Sequence, residues 1–175
     1  LIALAVMAAA GVASAQSTVT MYGVADLSFA DTSAAGVSMS MSGNGVMNNG
    51  SSRLGVRGVE DLGGGLKASF NFEQGINAES GATDAVTYQR AATMGVSGGF
   101  GTVNLGRRLT PSFFGVAVWE LTGMANYSVV AGRFGLGGGG PSRNSSEFSY
   151  TTPNMGGFSA TLGMITKLDN AGNSK

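Results

Sequence analysis

Hydrophobic and polar residues alternate at period two along much of the chain, the spacing of a strand with one apolar and one polar face. From Val19 to Phe29 the odd positions carry Val19, Met21, Gly23, Ala25, Leu27 and Phe29, and the even ones include Thr20, Tyr22, Asp26 and Ser28. Around Arg53 the parity is reversed: Leu54 and Val56 are apolar, while Arg53 and Arg57 share the other side. The contrast sharpens where Leu66, Ala68, Phe70 and Phe72 alternate with Lys67, Ser69, Asn71 and Glu73. Four more runs follow, centred on Met94, Val103 to Leu105, Phe148 to Tyr150, and Phe158 to Met164. The pattern predicts seven strands.

Short and long connections take turns between these runs. Asp61 to Gly65, Gly98 to Gly101 and Pro153 to Gly157 are short and Gly-rich, and Gly supplies the positive φ that tight hairpins require. Asp31 to Ser51, Gly75 to Thr87 and Leu109 to Pro141 are long. Loops beyond about 15 residues are uncommon in compact soluble domains. Here they fall at every second connection, so in a meander they all emerge at one end, as in transmembrane β-barrels.

Alternation alone does not separate a membrane barrel from an exported soluble β-sandwich, because both have strands of two-sided character. The charges do. Asp26, Arg57, Lys67, Glu73 and Glu147 all lie on the polar parity of their runs. On the lipid side of a barrel, a charge near the bilayer midplane costs up to about 2–4 kcal/mol. The N-terminus adds a second argument. Leu1 to Ala15 is uncharged, begins with an apolar run and closes on Ala13-Ser14-Ala15, a small-x-small cleavage pattern. It is shorter than the roughly 20 apolar residues of a spanning helix. Residues 1–15 are therefore expected to be a secretory signal peptide, truncated at its start, with Gln16 as the first mature residue. The predicted fold class is all-β, a transmembrane antiparallel up-and-down β-barrel.

Composition narrows the function. Charged residues make up 11% of the chain, against roughly 25% in ordinary soluble domains. Ten basic and ten acidic residues balance, giving no basic face for nucleic acid. There is no Cys, which removes disulfides, thiolate metal sites and thiol nucleophiles, and no His, which removes the commonest general base. No cofactor and no catalytic residue is expected. The Gly135 to Gly140 run matches a dinucleotide-binding Gly pattern formally, but lacks the following helix and distal acid.

The ordered motifs resemble those of general porins of Gram-negative outer membranes. Gln16-Ser17-Thr18-Val19-Thr20-Met21-Tyr22-Gly23-Val24-Ala25-Asp26 is similar to their mature start. Arg53-Leu54-Gly55-Val56-Arg57-Gly58-Val59-Glu60-Asp61-Leu62-Gly63-Gly64-Gly65-Leu66 is similar to their second strand and first short turn. Gly98 to Arg107 and Arg143 to Ala160 match further stretches. The resemblance implies trimers of barrels of about 16 strands, each with a water-filled channel. Residues 16–175 would then supply the N-terminal part of such a barrel, with about seven of its strands. The implied function is passive diffusion of ions and small hydrophilic solutes, and the implied partners are two further copies of the chain and outer-membrane lipid. The alternative is an outer-membrane barrel enzyme or adhesin that acts through its external loops.

The resemblance also implies a constriction where the loop at about 109–141 folds inward opposite wall arginines. This loop carries Phe113, Phe114, Trp119, Arg133 and a single acid, Glu120. Its Pro111-Ser112-Phe113-Phe114-Gly115 departs from the family's usual Pro-Glu-Phe-Gly-Gly stretch. Arg53, Arg90 and Arg143 stand where wall arginines are expected. Arg53 and Arg143 share the polar parity of their strands, whereas Arg90 shares that of Ala92 and Met94 and needs a strand end or bulge to face water. Arg57, Lys67 and Glu73 face the lumen by alternation. Few acids against these arginines imply a mild preference for anions. The competing reading makes the arginines solvated rim charges and lets Lys67 and Glu73 merely hold the wall together.

Overall fold

The computed structural model describes residues 18–32, 37–45, 47–130, 133 and 142–166. The expected signal peptide, residues 1–15, lies outside them, as does the Gly run at 137–140. The main body is a seven-stranded antiparallel meander of β1 (Thr18–Val24), β4 (Arg53–Gly63), β5 (Leu66–Gly75), β6 (Ala91–Gly98), β7 (Gly101–Leu109), β8 (Arg143–Thr151) and β9 (Thr161–Ile165), in that spatial order. A second sheet pairs β2 (Ser28–Thr32) with β3 (Val37–Ser42), and a short helix α1 (Pro111–Ala117) opens the long loop after β7.

The seven predicted strands are the seven strands of the main sheet, with two boundary corrections. The run from Val19 to Phe29 is not one strand: the β1–β4 ladder ends at Val24 opposite Arg53. Asp26 breaks it, because its N–H donates to Ser52 Oγ and its carboxylate accepts from Gly50 N and Asn48 Nδ2. An Asp that satisfies nearby backbone in this way favours a loop over a ladder. Asp26 is therefore a loop anchor, held below its ordinary carboxylate value chiefly by the Asn48 amide. The chain beyond it re-forms as the β2–β3 hairpin, whose second strand lies inside the long connection expected from Asp31 to Ser51. At the other end, Phe158 belongs to a turn bridged to Met155, and β9 begins only at Thr161.

The turns follow their glycines. Gly63, Gly64 and Gly65 have φ of 81°, 61° and 81° between β4 and β5, and Gly101 (φ 109°) opens β7 after the β6 turn. All three long connections leave the sheet at the opposite end from these turns.

Burial is inverted relative to a soluble domain. Among the described residues the buried hydrophobic ones are Ala91 and Ala125, whereas Asn48, Ser52, Glu147 and Ser149 are almost wholly enclosed. The large apolar residues stand out on one face: Met21, Leu54, Met94, Leu105, Phe148 and Met164 are all exposed. Cross-strand register keeps them together, with Met21 opposite Val56, Phe70 opposite Met94 and Leu105 opposite Phe148. A sandwich would bury this face against a second sheet. An unpaired apolar face of this extent is what lipid solvates.

Candidate functional site: an arginine cluster on the polar face

One row of the sheet sets the site. Tyr22 of β1 stands opposite Gly55 of β4, Gly55 opposite Glu73 of β5, and Glu73 opposite Ala91 of β6. Three of these strands thus place Tyr22, Gly55 and Glu73 abreast on the polar face near the loop end. Arg53 lies one polar-face step nearer the loops, in register with Val24 and Gly75.

Glu73 is the acid at the centre. Its Oε1 accepts from Arg90 Nε at 2.7 Å, and its Oε2 lies 3.6 Å from Arg53 Nε. Arg143 Nε donates to the carbonyl of Arg90 at 2.8 Å. Three arginines therefore gather around one carboxylate.

Arg90 reaches the polar face because it lies at a strand end. It precedes the first residue of β6, its N–H donates to the Glu73 carbonyl, and its side chain turns onto the Glu73 carboxylate. Arg143 requires a different account from simple parity. Ser146 has a positive φ of 50°, and the register slips between Gly106 opposite Glu147 and Arg108 opposite Asn144. This bulge breaks the alternation between Arg143 and Glu147, so the odd-position argument does not carry across it. Arg143 joins the cluster through its contact with Arg90.

The other expected residues are not part of the cluster. Arg57 lies with its guanidinium carbon 5.2 Å from the centroid of the Tyr22 ring, a cation–π contact two residues nearer the turn end than Gly55. Lys67 is exposed at the turn end, in register with Asp61 and Ser97. Glu120 is turned into its own loop. Its carboxylate accepts from Met124 N at 2.6 Å, Thr122 Oγ1 at 2.7 Å and Ser128 Oγ at 2.9 Å. These bonds, the Met124 N–H foremost, lower its pKa to about 2. The acid expected to face the arginines instead closes a knot around Gly123 (φ 70°) and Met124 (φ 61°).

The loop after β7 faces the cluster nonetheless. Thr110 caps α1 by accepting from Phe113 N, with Pro111 at the first helical position. Farther on, Asn126 Nδ2 donates to the carbonyls of Asn44 and Gly45, and Tyr127 Oη donates to Asn49 Oδ1. The loop is thereby tied to the one that carries the β2–β3 hairpin. Between loop and wall lies a cavity of about 580 Å³, lined by Arg53, Glu73, Arg90 and Arg143 on one side and Phe113, Met124 and Asn126 on the other.

Sequence reasoning does not single out Tyr22 and Asn71, whose polar groups belong to the surroundings of Glu73. The Tyr22 hydroxyl lies 2.8 Å from both Glu73 Oε2 and Asn71 Oδ1. The available signal is their parity, since Asn71 is two residues from Glu73 on one strand and Tyr22 sits on the polar side of β1.

An antiparallel meander with an apolar outer face, and arginines gathered on its polar face beneath an inturned loop, has the build of a β-barrel membrane protein. The chain belongs to the Gram-negative porin family, which it matches over residues 2–175. It is 40% identical over 172 residues to outer membrane porin protein 32 of Delftia acidovorans, covering 93% of this chain and 48% of that one. It is 32% identical over 178 residues to an outer membrane porin protein of Bordetella pertussis, covering 88% of this chain and 44% of that one. Among solved structures, an anion-selective porin from Comamonas acidovorans superposes with a TM-score of 0.71 at 35% identity, covering 86% of this chain and 47% of that one. A loop-deletion mutant of an outer membrane protein of Vibrio cholerae shares the fold at a TM-score of 0.60 and 22% identity, over 89% of this chain and 45% of that one. The chain spans about half the length of these relatives. Family membership places it in the outer membrane, among proteins that are channels rather than enzymes.

Proposed function

We propose that the complete protein bearing this sequence forms a water-filled channel through which ions and small hydrophilic solutes diffuse passively, with a preference for anions. The observation that carries this reading is the gathering of Arg53, Arg90 and Arg143 around the single carboxylate of Glu73, beside a cavity closed on its far side by the inturned loop. The polar face is the channel wall, and residues of the loop at about 109–141 form the opposing side of its narrowest part. Three fixed cations against one acid leave a net positive potential, which raises the local anion concentration. The 40% identity to a named porin supports the channel, and the likeness to an anion-selective porin supports its sign. No covalent chemistry is involved, and the chain is read as part of a channel with no catalytic machinery.

The reading includes assembly as a homotrimer in outer-membrane lipid. Single-channel recording of the complete protein in a planar bilayer tests the channel, with discrete, ohmic steps expected. A barrel that inserts but stays electrically silent would move the function to the external loops, as an enzyme or adhesin. On semi-native gels the trimer is expected to migrate as one heat-sensitive band, and a band at monomer mass before heating would remove it.

A further inference from the structure

Glu73 is shared by three donors, and the sharing is unequal. Arg90 takes Oε1 at 2.7 Å, whereas at Oε2 the Tyr22 hydroxyl sits at 2.8 Å and Arg53 Nε stands off at 3.6 Å. Arg53 donates instead to the Ser51 carbonyl at 2.9 Å. Its side chain keeps 30% exposure, against 16% for that of Arg90. We infer that Tyr22 is a positioning residue for ion selectivity: its phenol occupies the carboxylate oxygen that Arg53 would otherwise take, and so keeps Arg53 a water-facing cation on the channel wall.

The sheet is cut to let the phenol reach that oxygen. Tyr22 and Glu73 are separated by β4, and the residue between them is Gly55. A Cβ on Gly55 would overlap the Tyr22 ring. The ring therefore lies across the bare backbone of β4, with the Arg57 guanidinium against it. The phenol has one proton. The Asn71 amide can turn to donate to the phenol oxygen, which leaves that proton for Glu73. An arginine closed onto a carboxylate is strongly attracted to it and loses most of its outward field, whereas one held off and hydrated keeps that field. Tyr22 thus acts on Arg53 by competition and touches no permeating ion.

The inference rests on the anion-preferring channel proposed above, and its test separates the two. Reversal potentials in a KCl gradient are measured on the complete protein and on Arg53→Gln, Tyr22→Phe and the double variant. The wild type is expected to prefer anions, and Arg53→Gln to lose part of that preference. Tyr22→Phe keeps the ring over Gly55 but removes the hydroxyl. It is expected to shift the reversal potential in the same direction as Arg53→Gln and by no more. The double variant should match Arg53→Gln alone, because Tyr22 acts only through Arg53. Gly55→Ala, which pushes the ring aside, should move the potential the same way. Gly58→Ala, which meets Phe70 on the apolar face, should not. If Arg53→Gln lowers the preference while Tyr22→Phe leaves it unchanged, or if the two effects simply add, the inference is overturned and the channel reading stands. If the wild type shows no anion preference, the channel reading loses its sign and the inference falls with it.

Discussion

Glu73 and Glu120 are both carboxylates near the inturned loop, and their surroundings give them opposite uses. Glu73 lies among cations, with Arg90 at 2.7 Å. Replacing it by Gln leaves three arginines without their counter-charge, so Glu73→Gln is expected to strengthen anion preference in a salt-gradient reversal potential. A shift toward cations would contradict its role as the charge that moderates the cluster. Glu120 is bonded instead to Met124, Thr122 and Ser128. Its pKa is lowered to about 2, so the order it gives the loop is complete above the ordinary carboxylate value of 4.5 and fades as pH falls through about 2. Trp119 emission should therefore hold constant from neutral pH down to the ordinary carboxylate range and change only in stronger acid. Glu120→Gln should make residues 119–128 more sensitive to limited proteolysis at neutral pH, and an unchanged cleavage pattern would show that the knot does not depend on the charge.

The strands obey alternation wherever the backbone is regular, and the departures occur where the backbone is not. Gly106 has φ 115°, and a Cβ there would overlap the carbonyl of Ala92 on the neighbouring strand. Gly115, in α1, has nothing within 4 Å of such an atom. Gly106→Ala should destabilise the barrel by about 1–3 kcal/mol, through strain on the left-handed side of φ. Gly115→Ala should be neutral or stabilise by up to about 1 kcal/mol, the helix-propensity gain. Urea unfolding in detergent distinguishes the two, and equal midpoints would contradict the strand geometry. The same contrast explains what is legible in the sequence. Arg53, Arg57 and Glu73 are readable because β4 and β5 pair regularly from Arg53 opposite Gly75 to Asp61 opposite Lys67. Arg143 joins the polar-face cluster, but the Ser146 bulge invalidates the parity that would put it there. Arg90 needs the strand to start at Ala91, which a run of small residues does not mark. The β2–β3 hairpin is hidden because Asp26 falls on the expected polar parity while it in fact leaves the ladder. Glu120 escapes because its partners, Thr122, Met124 and Ser128, form a local knot that periodicity does not report.

At the scale of the whole molecule, the sheet is apolar outside, polar inside and, among the described residues, open at both edges: β1 pairs only with β4, and β9 only with β8. In a bilayer the free N–H and C=O groups of such edges cost several kcal/mol each. Residues 16–175 expressed alone are accordingly expected to give no discrete conductance in a planar bilayer, and reproducible steps from that segment would show that it closes its edges by itself. The channel proposed above requires these edges to meet further strands, so that the polar face encloses water and the arginine cluster gives the passage its sign. The decisive measurement is the reversal potential of the complete protein across a bilayer separating unequal KCl concentrations. The polarity of a chloride-preferring pore is expected, and that of a potassium-preferring one would show that the cluster does not set the sign.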